Sequence, residues 1–140
     1  MKQSPKPLVM EAIDTNILVR LATRDDEQQF QKVEKFLRES FSSQEPAWVS
    51  VIVTTELAWV LERRYRYTRT QVAAFITGLI NTPSFHLEDP SATSKAAELF
   101  SSSKADFGDC LILARNLSRK ITPTHTLDRQ ATKLQGFKLL

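Results

Sequence analysis

The sequence predicts a single α/β domain, a parallel sheet with helices on both faces. Three observations predict it. Short β-prone runs alternate with helical periodicities along the chain, which is the pattern of βα units. The 140 residues suffice for one core and are too few for two. Apolar residues make up 41% and charged residues 25%, an ordinary balance for a globular domain in water.

Residues 1–7, "MKQSPKP", read as a disordered leader with two prolines, and Met10 stands where an alternative start could fall. "LVMEAI", 8–13, reads as a buried strand that hands over to a helix at Asp14. "DEQQFQKVEKFLRESF" places Phe30, Val33, Phe36, Leu37 and Phe41 at helical spacing. "AWVS", 47–50, is a second strand, with Ser50 as cap for the helix "VIVTTELAWVLERRY". "TRTQVAAFITGLI" follows, with Thr68 and Gln71 at capping-box spacing and Val72, Phe75, Ile76, Leu79 and Ile80 on one stripe.

"SFHLE" is the third strand, and Asp89-Pro90 opens the helix "SATSKAAELF" as cap and first residue. The serines at 101–103 introduce the helix "KADFGDCLILARNL". "ITPTH" is a fourth strand whose proline puts it at an end or edge. "LDRQATKLQ" reads as a short helix closed by Gly136, and "FKLL" as the last strand. The fold unit is therefore expected over residues 8–140.

No apolar run approaches the ~20 residues of a membrane span, and no signal-peptide pattern precedes the first strand. One cysteine, Cys110, rules out an internal disulfide and a cysteine-based zinc site, and points to a reducing cytoplasm. The net charge is +3, a mild lean towards polyanionic partners.

The acids are less evenly spread. Asp14 ends the first strand, and Asp128 follows the fourth by a few residues. Glu56 and Asp109 lie in the opening turns of helices. In a parallel sheet all four can meet at the carboxyl edge, where α/β ligand sites form. Each also has a plain structural reading: a cap for Asp14 and Asp128, a solvated acid favoured by the helix dipole for Glu56 and Asp109. Against the latter, Glu56 stands inside the apolar run "VIVTTELAWVL", and Asp109 among Phe107, Cys110, Leu111 and Ile112. Enclosed carboxylates need partners. Few basic residues are interleaved, so a divalent cation is the economical one. Oxygen ligands select Mg²⁺ or Mn²⁺, and such ions serve phosphodiester hydrolysis by activating water and neutralising charge.

Four segments together resemble PIN-domain nucleases, specifically the VapC-type ribonuclease toxins: "IDTNILVRL", "TTELAWVL", "ADFGDCLILA" and "THTLD", in that order. The resemblance implies a PIN-like three-layer α/β/α fold with strand order 3-2-1-4-5. It also implies Mg²⁺- or Mn²⁺-dependent cleavage of RNA, a homodimer and inhibition by a cognate antitoxin. Carried over by residue, the catalytic acids are Asp14, Glu56, Asp109 and Asp128, with Asp14, Asp109 and Asp128 on the metal. Asn16 and Thr126 are polar helpers beside it. Leu127 stands where the fourth motif more often has an aromatic.

Asp106 shares a helix face with Asp109. It is a candidate second member of the acid cluster, although "SKAD" reads better as a capping box with Ser103 as cap. The basic run "ERRYRYTR" offers Arg63, Arg64 and Arg66 for phosphates and Tyr65 and Tyr67 for bases, with His125 near the fourth motif. A solvated helix end explains the same run equally well. Trp48, Trp59 and the 72/75/76/79/80 stripe read as core or dimer interface. A catalytically silent PIN-like binding module is the alternative, which the four retained acids oppose. A haloacid-dehalogenase-type phosphotransferase would need an acid where Asn16 stands.

Overall fold

A computed structural model describes residues 10–140. The expected leader and the first two residues of the first strand lie outside the described residues. The chain runs α1 (Thr15–Thr23), α2 (Glu27–Ser40), β1 (Ala47–Val49), α3 (Val51–Arg63), α4 (Arg69–Ile80) and β2 (Phe85–Leu87). It continues through α5 (Pro90–Ser101), α6 (Phe107–Ser118), β3 (Thr124–Thr126), a 3-10 turn at Ala131–Lys133 and β4 (Phe137–Leu139). It is an α/β fold.

All strand pairing is parallel among the described residues. β1 pairs with β2, Ala47 opposite Phe85 and Val49 opposite Leu87. β3 pairs with β4, Thr124 opposite Phe137 and Thr126 opposite Leu139. The expected first strand contributes a single bridge, Ala12 to Trp48. There the Ile13 N–H donates to the Trp48 carbonyl at 3.1 Å, and the Trp48 N–H donates to the Glu11 carbonyl at 2.9 Å. These pairings give two pieces, 3-2-1 and 4-5. Among the described residues no ladder joins them.

The core lies where the helices meet the short strands. Leu18, Leu57, Leu61, Val72, Ile76 and Phe100 are each less than 2% exposed. Each such side chain contributes about 1.5–3 kcal/mol of transfer free energy. The stripe on α4 is core: Val72, Ile76 and Leu79 are buried, with Phe75 and Ile80 packed against them.

Several helix starts follow their sequence signals. Asp26 accepts from the Gln29 N–H and Ser50 from the Val53 N–H. Thr68 and Gln71 form the reciprocal capping box. Three expectations need correction. Asp89 precedes Pro90 as expected, but its carboxylate makes no cap bond. Its backbone is left-handed (φ 49°), and its Oδ2 pairs with Arg115 Nε at 2.8 Å. Ser103 does not cap α6: the helix begins at Phe107 and Asp106 holds the N-cap position. The helix expected over 127–135 shrinks to the 3-10 turn, because Asp128 and its neighbours spend their hydrogen bonds on a tight turn.

Gly136 turns the chain into β4 with φ 114°. That conformation favours glycine, and a Cβ there would also stand 2.8 Å from Leu113 Cδ1 and make that side chain shift. Its carbonyl accepts from the Thr124 N–H at 2.9 Å, which aligns β3 beside β4.

Candidate active site

Asp106, Asp109 and Asp128 come together. Each offers a carboxylate oxygen, and these oxygens lie within 4.8 Å of one another. Local structure explains the convergence. Asp106 is the N-cap residue of α6 by position, yet its side chain makes no cap bond and is left for the cluster. Asp109 sits in the first turn of the same helix, where the dipole favours an anion. Asp128 is fixed by its own turn: its Oδ1 accepts from the Gln130 N–H at 2.8 Å and the Ala131 N–H at 3.2 Å. The Asp128 N–H in turn donates to Thr126 Oγ1 at 3.0 Å, which ties the acid to the end of β3. That bond gives Thr126 its place beside the site.

The Asp109 pKa stands above its ordinary value. Partial burial is the first cause, and the charges of Asp128 and Asp106 add to it. The nearest cation is Arg63, whose Nη2 lies 3.7 Å from Asp106 Oδ1. Three hard oxygen donors at this spacing, short of neutralising charge, fit a Mg²⁺ or Mn²⁺ ion and do not suit a soft-ligand metal.

Asp14 belongs to an adjoining cleft of about 380 Å³, lined by Asp14, Thr15, Asn16, Glu56, Trp59, Val60 and Arg64. It is the N-cap of α1, but the bond from the Ile17 N–H to its Oδ1 is long, 3.5 Å. Thr15 is buried, and its hydroxyl donates to Glu56 Oε2 in a short contact that joins α1 to α3. A second cleft, about 290 Å³, holds Asp106 and Asp109 with Glu62 and Phe107, and Trp59 lines both. The four expected acids are thus divided. Asp109 and Asp128 meet with Asp106 added, and Asp14 sits with Glu56 next door, outside the group of three.

The expected enclosure of Glu56 is overturned: the residue is exposed. The reason is the composition of the helix. α3 leaves Ile52, Glu56 and Trp59 on its outer face, so that face is apolar and still open, with Ile52 74% and Trp59 50% exposed. An apolar run therefore did not mean burial. The Asp109 expectation fares better, since that residue is partly buried.

The basic run divides too. Arg63, Arg64 and Arg66 are exposed. Tyr65 and Tyr67 are half-buried and pack against the core, and the Tyr67 hydroxyl donates to the Ala22 carbonyl at 2.8 Å. His125 is exposed on β3 and Asn16 is exposed in the first turn of α1. Trp48 stacks on His86 across the β1–β2 pair. Thr15 was not marked by the sequence as a site residue. Its signal was adjacency to Asp14, but the partner stands 41 positions away.

A family model described as PIN domain matches residues 12–136. The chain is also similar to a VapC ribonuclease of Aquifex aeolicus (strain VF5), 26% identical over 129 residues, which cover 92% of this chain and 94% of that one. The matched span runs through both clefts, from Asp14 to Asp128, and on this ground the chain belongs to the PIN domain family.

Proposed function

We propose that the protein is a Mg²⁺- or Mn²⁺-dependent endoribonuclease of the toxin type, restrained by a cognate antitoxin. The observation that carries this reading is the convergence of Asp106, Asp109 and Asp128, and the likeness to a protein named VapC ribonuclease supports it. Asp109 and Asp128 would hold the ion, joined by Asp106. When bound, the ion supplies water activation and neutralises charge on the scissile phosphate. Glu56, with Oε2 engaged by Thr15, keeps Oε1 free to take a proton from the attacking water. Asp14 and Asn16 line the same cleft and orient that water. Arg63, Arg64 and Arg66 offer exposed cations to the RNA backbone. The proposed place of action is the cytoplasm, where the RNA is. No helix among the described residues is long and apolar enough to cross a membrane.

The antitoxin would lay a basic segment in the cleft between α1 and α3, its Arg or Lys directed at Asp14 and Glu56. Leu21, Trp59 and Val60 are accessible as walls, whereas Leu18 is fully buried. A homodimer would use the apolar groove of about 500 Å³ between α3 and α6, where Ile52, Trp59 and Ile112 stand exposed. The deciding experiment is an RNA-cleavage assay with and without Mg²⁺ or Mn²⁺, on the protein and its Asp14→Asn and Asp109→Asn variants. Metal-dependent cleavage lost in both variants is expected; cleavage that survives chelation would overturn the reading. Co-expression with the adjacent open reading frame tests the antitoxin, through loss of cleavage in the complex.

A further inference from the structure

Arg69 is an arginine in an unfavourable place. It is the first residue of α4, where the helix dipole disfavours a cation, and its side chain is only 25% exposed. A cation so placed needs partners, and Arg69 has them on three segments. Its Nη1 donates to Glu62 Oε2 on α3 at 3.0 Å. Its Nε donates to the Phe100 carbonyl in the last turn of α5 at 2.9 Å. Its Nη2 donates to the Ala105 carbonyl in a short contact, and the guanidinium lies 3.7 Å from the centroid of the Phe100 ring. Ala105 is 1% exposed and immediately precedes Asp106.

The two carbonyls bracket the loop that carries the chain from α5 into α6. Asp106 and Asp109 ride on the exit of that loop. The neighbour of Glu62 on α3, Arg63, reaches Asp106 itself at 3.7 Å. The end of α3 therefore grips the loop twice, through its backbone by way of Arg69 and through its carboxylate by way of Arg63.

Resting on the function proposed above, we infer that Arg69 is a positioning residue for the metal-binding acids. Its planar fork sets where α6 begins, and so where the Asp106 and Asp109 carboxylates stand relative to Asp128. The fork offers three separate nitrogens to three acceptors, whereas the three N–H donors of lysine all radiate from one nitrogen and cannot match that planar spacing. Charge alone is thus insufficient at this position.

The test compares the wild-type protein with Arg69→Lys and Arg69→Ala. Three readouts are needed: thermal melting, Mn²⁺ binding to the metal-free protein by electron paramagnetic resonance, and RNA cleavage as a function of Mg²⁺ concentration. Binding of a short single-stranded RNA in the presence of a chelator serves as control. Arg69→Lys is expected to fold and bind RNA as the wild type does. Its Mn²⁺ affinity should fall on the order of tenfold, as when other supports of a metal site are removed, and its cleavage should recover as Mg²⁺ is raised. Arg69→Ala should show the larger loss if it folds. An Arg69→Lys protein that melts lower but binds Mn²⁺ with wild-type affinity would overturn the inference, and so would one that does not fold. If the wild type itself binds no Mn²⁺ and cleaves no RNA, the proposed function falls and this inference with it. A metal-binding, RNA-cleaving wild type beside an indifferent Arg69→Lys defeats the inference alone.

Discussion

Replacing Asp109 by Asn should make the metal-free protein more stable at neutral pH, a direction opposite to that of most substitutions in a first helical turn. The change removes one of three charges whose oxygens lie within 4.8 Å of each other. At that separation each like-charge pair costs about 0.9 kcal/mol in a water-like dielectric, and several-fold more in a protein-like one. Asp106 and Asp128 are exposed, so the lower figure applies. Two pairs are relieved, giving about 2 kcal/mol. Against this, Asn gives up the favourable interaction with the α6 N-terminus, about 0.3–1 kcal/mol. Repulsion wins by about 1 kcal/mol, or roughly 3–5 °C in melting temperature for a domain of this size.

The pH dependence follows from linkage. The folded pKa of Asp109 is raised, mainly by partial burial and then by Asp128 and Asp106. Its cost therefore appears as pH rises through the unfolded value and is complete above the folded one. The advantage of Asn should be present at pH 7 and shrink below the aspartate range. Differential scanning fluorimetry in chelator, at low salt and in 1 M salt, measures it. Most of the gain should vanish at 1 M, where the screening length is about 3 Å. An Asn variant that melts lower at low salt, or whose shift ignores salt, would refute the crowding argument.

Adding Mg²⁺ at neutral pH should raise the melting temperature of the wild-type protein and leave Asp109→Asn little changed, as read in the same fluorimetric assay. Thr15→Val keeps shape but removes the donor to Glu56 Oε2; the fold should persist by circular dichroism while RNA cleavage drops on the order of tenfold, as befits one lost orienting bond. Gly136→Ala should destabilise by about 1–3 kcal/mol in urea titration, because φ is 114° and the added carbon would stand 2.8 Å from Leu113 Cδ1.

Alternation of strand and helix, and the signals at Ser50 and Thr68–Gln71, are readable because they are local: a cap and its target lie within four residues. Of the two acids at strand ends, Asp128 joins the cluster and Asp14 stands in the adjoining cleft, so strand topology alone does not say how they divide. What distance in sequence hides is pairing. Thr15 with Glu56, and Arg69 with the carbonyls of Phe100 and Ala105, join elements more than thirty positions apart. Asp106 shows a competition between principles. Capping-box spacing placed the cap at Ser103, yet Ser103 Oγ donates to the Leu99 carbonyl and accepts from the Ala105 N–H, which closes the preceding loop and delays α6. Glu56 shows the limit of reading burial from composition, because the outward face of α3 is itself apolar.

Asp128 holds two offices at once, closing a turn with one oxygen and facing two other acids. Its neighbourhood therefore distinguishes length from charge. A glutamate would keep the negative charge but, one methylene longer, could not both accept from Gln130 and Ala131 and stay beside Asp109. An asparagine would keep the turn and lose the charge. The position thus has no conservative neighbour among the twenty side chains. Loosening the segment that follows Asp128 would disassemble the site by releasing the turn that aims one of its carboxylates.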